Sequence, residues 1–156
     1  MSRYIVIETG ISMAVNAAFS AAFAFLVFGG RTEIGLWGPG GLALDFAPQT
    51  FVIAMMSVLV PAALTRRRLR SGMLAPVKGA SRLPRNLPAR ALVIALPATL
   101  LLGAAATALL AATWTGPLTF GAALPLKTFY GALVALAVTP LALRAALRDC
   151  GTREQS

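Results

Sequence analysis

Apolar residues in this chain come in long unbroken runs, not in the alternation of half-buried strands or the one-sided stripes of surface helices. Four runs stand out, roughly Tyr4 to Phe28, Pro48 to Thr65, Ala91 to Ala112 and Leu124 to Leu147. About 20 apolar residues are enough to cross a hydrocarbon core as a helix, and inside a bilayer every backbone polar group must be paired within the protein. The runs are continuous and Ala/Leu-rich, which argues against barrel strands. The pattern predicts an all-α polytopic membrane protein with four transmembrane helices. The first run carries Arg3 and Glu8 and is longer than a typical signal-peptide core, so it is expected to be a retained anchor.

The joints between runs repeat. Residues 38–51 read GPGGLALDFAPQTF and residues 116–129 read GPLTFGAALPLKTF. A shift of 78 residues superposes Gly38-Pro39 on Gly116-Pro117, Thr50-Phe51 on Thr128-Phe129, Arg66 on Arg144 and Leu69-Arg70 on Leu147-Arg148. With Ala54/Ala132 and Val60/Val138, nine of 33 ungapped positions are identical. The expected organisation is two parallel-repeat hairpins in one membrane domain spanning 1–156. Hairpin one covers 1–70, a basic cytoplasmic linker 71–89, hairpin two 90–148 and a cytoplasmic tail 149–156. Such repeats are related by an axis along the membrane normal. Trp37 and Trp114, just before the two frames, suit the headgroup interface.

Charge orients the bundle. Arg66, Arg67, Arg68, Arg70, Lys78, Arg82, Arg85 and Arg90 lie between helices two and three with no acid among them, and Arg144, Arg148 and Arg153 lie near the C-terminus. Short cationic loops stay cytoplasmic, so both termini and the basic linker are expected on the cytoplasmic side. Arg outnumbers Lys twelve to two, a bias of GC-rich bacterial genomes, so a bacterial inner membrane is expected. Anionic lipid headgroups are the expected partners of Arg66, Arg67, Arg68 and Arg70. The linker lacks interleaved aromatics and a Gly-rich phosphate cradle, so no nucleic acid is expected.

Polar residues within the apolar runs are the candidate functional positions. Glu8, Ser12, Asn16 and Ser20 follow one another at a spacing of four, which places them in one stripe on successive turns of helix one. Gln49, Ser57 and Pro61 form a similar row on helix two. Two readings compete: a helix-packing interface, with Glu8 paired to Arg144, Arg148 or Arg90, and a polar pathway with Glu8 at its cytoplasmic mouth. Pro61, Pro97 and Pro140 release the carbonyls of Ser57, Val93 and Leu136. Small-residue rows on helix three (Thr99, Gly103, Thr107, Ala111) and helix four (Gly131, Ala135, Thr139) point to close packing. Asp45 is expected to cap helix two with Pro48 in its first turn. Lys127 is expected at the start of helix four, where a cation is unfavourable beside the helix dipole, so it is expected either to snorkel outward or to meet an anion, and Asp45 and Lys127 form a candidate inter-hairpin pair.

Composition narrows the chemistry. The chain is 156 residues long, 58% hydrophobic and 12% charged, with no His and one Cys, Cys150. An intrachain disulfide is excluded and a Cys/His metal site is not expected. No nucleophile–base pair, metal cluster or phosphate loop is visible, so neither enzyme activity nor a cofactor is expected.

The segments VLVPAALTRRRL (58–69) and AVTPLALRAAL (137–147) resemble small bacterial inner-membrane proteins of uncharacterised role, built on a two-helix hairpin whose second helix ends in Pro followed by Arg. That resemblance implies a membrane location and no particular activity. The leading expectation is a non-catalytic integral membrane protein, either an accessory subunit of a membrane complex or a self-associating homo-oligomer. The alternative is a small homo-oligomeric transporter or channel that uses the polar row on helix one.

Overall fold

In the computed structural model, residues 2–77, 79 and 81–149 are described. Five helices and one short strand pair make up the fold: α1 (Ser2–Phe28), β1 (Glu33–Ile34), α2 (Leu42–Arg70), α3 (Leu87–Ala98), α4 (Ala104–Thr113), β2 (Leu118–Thr119) and α5 (Phe120–Arg148). A π-helical turn, Thr99–Gly103, joins α3 to α4, so the two form one continuous rod from Leu87 to Thr113. The result is four helices long and apolar enough to cross a membrane. With four spans, the start of α1, the end of α5 and the Arg-rich linker share one end of the bundle, called here the basic end.

The helices begin earlier than the apolar runs suggest. Gly41 is the N-cap of α2, so Asp45 sits within the first turn and is not the cap, and Pro48 lies inside the helix. Likewise α5 starts at Phe120, which leaves Pro125 inside it and Lys127 two turns down. Arg66, Arg67, Arg68 and Arg70 belong to α2 and Arg90 to α3, so the irregular part of the linker is shorter than the cationic stretch. At the end of α2, Gly72 takes φ +74, a region closed to most side chains. Its N–H bonds Leu69 O at 3.2 Å and the next N–H, of Met73, bonds Arg68 O at 3.0 Å, which closes the helix in a Schellman turn.

The π-turn has a local cause. Pro97 has no N–H for the carbonyl of Val93, and its ring crowds that turn. Widening the next turn absorbs the misfit and carries Gly103 against α2, where an added Cβ would lie 3.5 Å from Thr50 Oγ1.

Packing runs crosswise between the expected hairpins. α1 lies mainly along α5, and α2 lies along α3, the π-turn and α5, whereas α1–α2 and α3–α5 touch little. α5 and α2 are therefore the central helices: 61% and 44% of their apolar windows are buried, against 28% for α1 and 11% for the third rod. An apolar cluster including Ile53, Val58, Ile94, Val134 and Val138 joins α2, α3 and α5. A second, including Phe28, Ile34, Leu42, Phe46, Leu110 and Leu118, closes the loop end. The two interhelical loops also meet there, because β1 pairs antiparallel with β2, Glu33 opposite Thr119 and Ile34 opposite Leu118. Trp37 and Trp114 stay exposed at that end.

Candidate functional site

Every member of the α1 stripe faces the bundle interior. Glu8, Ser12, Asn16 and Ser20 are 0–7% exposed, and Gln49 and Ser57 on α2 are 4% and 1% exposed. Together with α5 they form a ladder of polar rungs that runs the length of the bundle.

The lowest rung is at the basic end. Arg68 Nη1 donates to Tyr4 Oη at 3.2 Å, Tyr4 Oη and Thr65 Oγ1 are 2.9 Å apart, and Thr65 Oγ1 donates to Pro61 O at 2.7 Å. One turn up α1, Glu8 forms an ion pair with Arg68. The sequence-based candidates for that partner, Arg144, Arg148 and Arg90, are not the ones used. Arg90 is buried elsewhere, and Arg144 and Arg148 are exposed on α5.

Uncharged rungs follow. Thr139 Oγ1 donates to Ser12 Oγ at 2.8 Å. Asn16 Nδ2 donates to Ser12 O at 2.8 Å and to Ser57 Oγ at 3.2 Å. Gln49 Nε2 donates to Ser20 Oγ at 3.0 Å and reaches Lys127 O at 3.4 Å. The helices come close enough for this because α5 has Gly131 opposite Ser20: a Cβ there would lie 2.0 Å from Ser20 Oγ and 3.0 Å from Asn16 O. Close approach through small residues is the usual way helices pack in lipid, where the solvent offers no hydrophobic drive between them.

The top rung is the charged pair. Lys127 neither snorkels outward nor stands at the helix start: its side chain is 0% exposed and ion-paired with Asp45. The ammonium also faces the ring of Phe28 at 4.8 Å and that of Phe23 at 5.8 Å. Asp45 lies in the first turn of α2, where the helix dipole favours a carboxylate.

Two side chains on this seam keep a buried polar atom without a partner, Gln49 Oε1 and Thr9 Oγ1. Beside Gln49 is a cavity of about 40 Å³ lined by Phe19, Ser20, Phe23, Pro48, Val52 and Ile53. It has room for a water molecule or two.

A further ionic cluster, which sequence reasoning missed, ties the basic end together. Asp149, just beyond α5, accepts from Arg66 Nε at 2.9 Å and Nη2 at 2.6 Å, and from Arg90 Nη1 at 2.9 Å and Nη2 at 2.6 Å. Arg90 is 0% exposed and also donates to Pro84 O at 2.9 Å. Arg66 and Arg68, two of the four arginines expected to meet lipid headgroups, thus hold carboxylates of the chain itself, whereas Arg67 and Arg70 are exposed. The signal was present but weak: Asp149 is an acid amid arginines, directly after a helix.

Burial alone would push the Asp149 carboxyl up, but the hydrogen bonds and charges of Arg90 and Arg66 outweigh it and hold the group below its ordinary value of 3.8. A depressed folded-state pKa stabilises the fold above the ordinary value and ceases to do so as pH falls through the folded one. The thermal midpoint in detergent is therefore expected to drop as pH is lowered below about 4. In Asp149→Asn the midpoint is expected to be lower already at pH 7, by about 1.5–3 kcal/mol of stability. The gap to wild type should then close in acid, which a pH series of melting curves reads directly.

Among the described residues no three His, Cys, Asp or Glu side chains gather as metal ligands. Glu8, Asp45 and Asp149 each face a cation. Comparison with protein-family models, curated proteins and solved structures finds no match to this chain.

Proposed function

We propose that this is a non-catalytic integral membrane protein that acts through lateral contacts in the bilayer, as an accessory subunit of a larger complex or as a self-associating bundle. The observation that carries this reading is the polar ladder: Glu8, Ser12, Asn16, Ser20, Gln49 and Ser57 each engage a partner on another helix. A row spent on holding α1 to α2 and α5 supports packing over a solute path. The third rod, little buried within the chain, offers the largest apolar face for contacts in the membrane plane.

The chain is read here as a duplicated hairpin. Crosswise packing supports this, since each hairpin's first helix lies on the other's second helix. The contact of Gln49 with the carbonyl of Lys127 does so too, because those residues are 78 positions apart and occupy equivalent places in the two repeats. By the positive-inside rule the basic end is cytoplasmic, in a bacterial inner membrane.

A small homo-oligomeric transporter or channel is the second reading. The unpartnered Gln49 Oε1 and the adjoining cavity favour it. Purification in mild detergent followed by native mass spectrometry separates the subunit role from the self-contained readings. A co-purifying membrane complex supports the subunit role and removes the self-contained transporter. A homo-oligomer with no other chain removes the subunit role, and a lone monomer contradicts lateral association altogether.

A further inference from the structure

The two hairpins treat the same arginine differently. A shift of 78 residues carries Arg66 onto Arg144 and Arg70 onto Arg148, and the same shift in reverse carries Asp149 onto Ser71. In one repeat the carboxylate is present, and Arg66 holds Asp149 through two nitrogens. In the other, a serine stands where that carboxylate would be, and its hydroxyl is turned to Arg68 O at 3.0 Å. Arg144 has no anion among the described residues.

Its surroundings sharpen the need for one. Arg144 and Arg148 are both exposed and four residues apart, hence on one face of α5, and like charges at that spacing repel. Arg144 lies one turn inside the end of α5, about 6 Å from it along the axis and within the apolar span. A guanidinium at that depth needs a counter-charge or a reach to the interface. The contacts of Ser12 with Thr139 and of Ser20 with Gly131 fix α1 antiparallel to α5, so Glu8 is the acid of α1 at this end. The nearby acid on α1, Glu8, is taken by Arg68.

We propose that Arg144 and Arg148 form a seat for the phosphate of an anionic phospholipid on the exposed face at the end of α5. The lipid phosphate takes the place that Asp149 fills for Arg66. This rests on the duplication and membrane location proposed above, and it moves the lipid contact from the α2 arginines to the end of α5.

The test uses the full chain reconstituted in bilayers of phosphatidylglycerol and phosphatidylcholine, released and weighed by native mass spectrometry. Wild type is expected to retain phosphatidylglycerol in preference to phosphatidylcholine. The pair Arg144→Gln/Arg148→Gln is expected to lose about thirtyfold of that preference, from two surface arginines. Arg67→Gln/Arg70→Gln, which removes the same charge from α2, should keep it. Should the α5 pair fail to fold, Arg148→Gln alone, at the helix end, is read in the same way. Equal loss in both pairs would mean a diffuse basic field and overturn the seat, as would a wild type with no preference. Release of the lipid by millimolar inorganic phosphate would assign the site to a free anion instead. The oligomeric state seen in the same spectra reports on lateral association separately, so the two proposals can fail independently.

Discussion

Gly131→Leu is expected to abolish the folded bundle. The Cβ alone would stand 2.0 Å from Ser20 Oγ and 2.8 Å from Ser20 Cβ, distances that require movement. The hydroxyl can rotate away, but the carbonyl of Asn16, 3.0 Å from the same point, is backbone and moves only with α1. Displacing α1 strips Asn16 from Ser57 and Gln49 from Ser20, and it relaxes the contact of Ser12 with Thr139. Overpacking of this kind costs about 1–3 kcal/mol and occasionally more, and each interhelical hydrogen bond lost in a membrane adds about 0.6 kcal/mol. Gly131→Ala should be intermediate. Gly10, on the exposed face of α1, has nothing within 4 Å of an added Cβ, so Gly10→Leu should melt like wild type. Thermal melts of the three variants in one detergent check the ranking. A Gly131→Leu protein with a wild-type midpoint would show that α1 does not pack on α5 at this turn.

Breaking the Asp45–Lys127 pair is the second large effect. Removing one partner of a buried ion pair costs about 3–5 kcal/mol, because it leaves an uncompensated charge. The two single variants are not expected to be equal. Asp45→Asn strands an ammonium whose side chain is 0% exposed, with two aromatic faces as its remaining partners. Lys127→Met strands a carboxylate that is 11% exposed and sits in the first turn of a helix, where the dipole helps to hold it. Asp45→Asn should therefore be the more damaging. The double variant should recover much of the loss, since neutral residues of similar volume often replace a buried pair at little cost. A double-mutant cycle in which the two losses simply add would mean that the pair does not couple the hairpins.

Length and polarity of the spans were legible in the sequence because they depend on composition alone. The i+4 stripe on α1 was legible for the same reason, since helical periodicity fixes which residues share a face. Partners were not. Glu8 has several arginines at its depth, and depth is all that a hydropathy pattern measures. The choice of Arg68 is set by the rotation of α2 about its own axis. Crosswise packing was hidden too, because small-residue rows say how close a neighbour comes without saying which neighbour it is. The helix starts were misplaced by Pro48 and by the apolar run from Leu124. Both helices begin several residues earlier and carry Pro48 and Pro125 inside them. That shift moves Lys127 from a helix end to a buried position beside Asp45. Arg90 and Asp149 looked like a loop cation and a tail acid until α3 and α5 brought them together with Arg66.

Whether the polar ladder is sealed is decided most directly at Ser57. Its side chain is 1% exposed and bonded to Asn16 midway along the ladder. Ser57→Cys in a Cys150→Ser background changes little in volume and places a single thiol there. The measurement is labelling by a membrane-impermeant thiol reagent applied to each side of proteoliposomes, with the unfolded protein in SDS as the fully labelled control. No labelling from either side is the expected result. Labelling of the folded protein from one side or both would reveal a water-filled path through the ladder and contradict the packing role assigned to it.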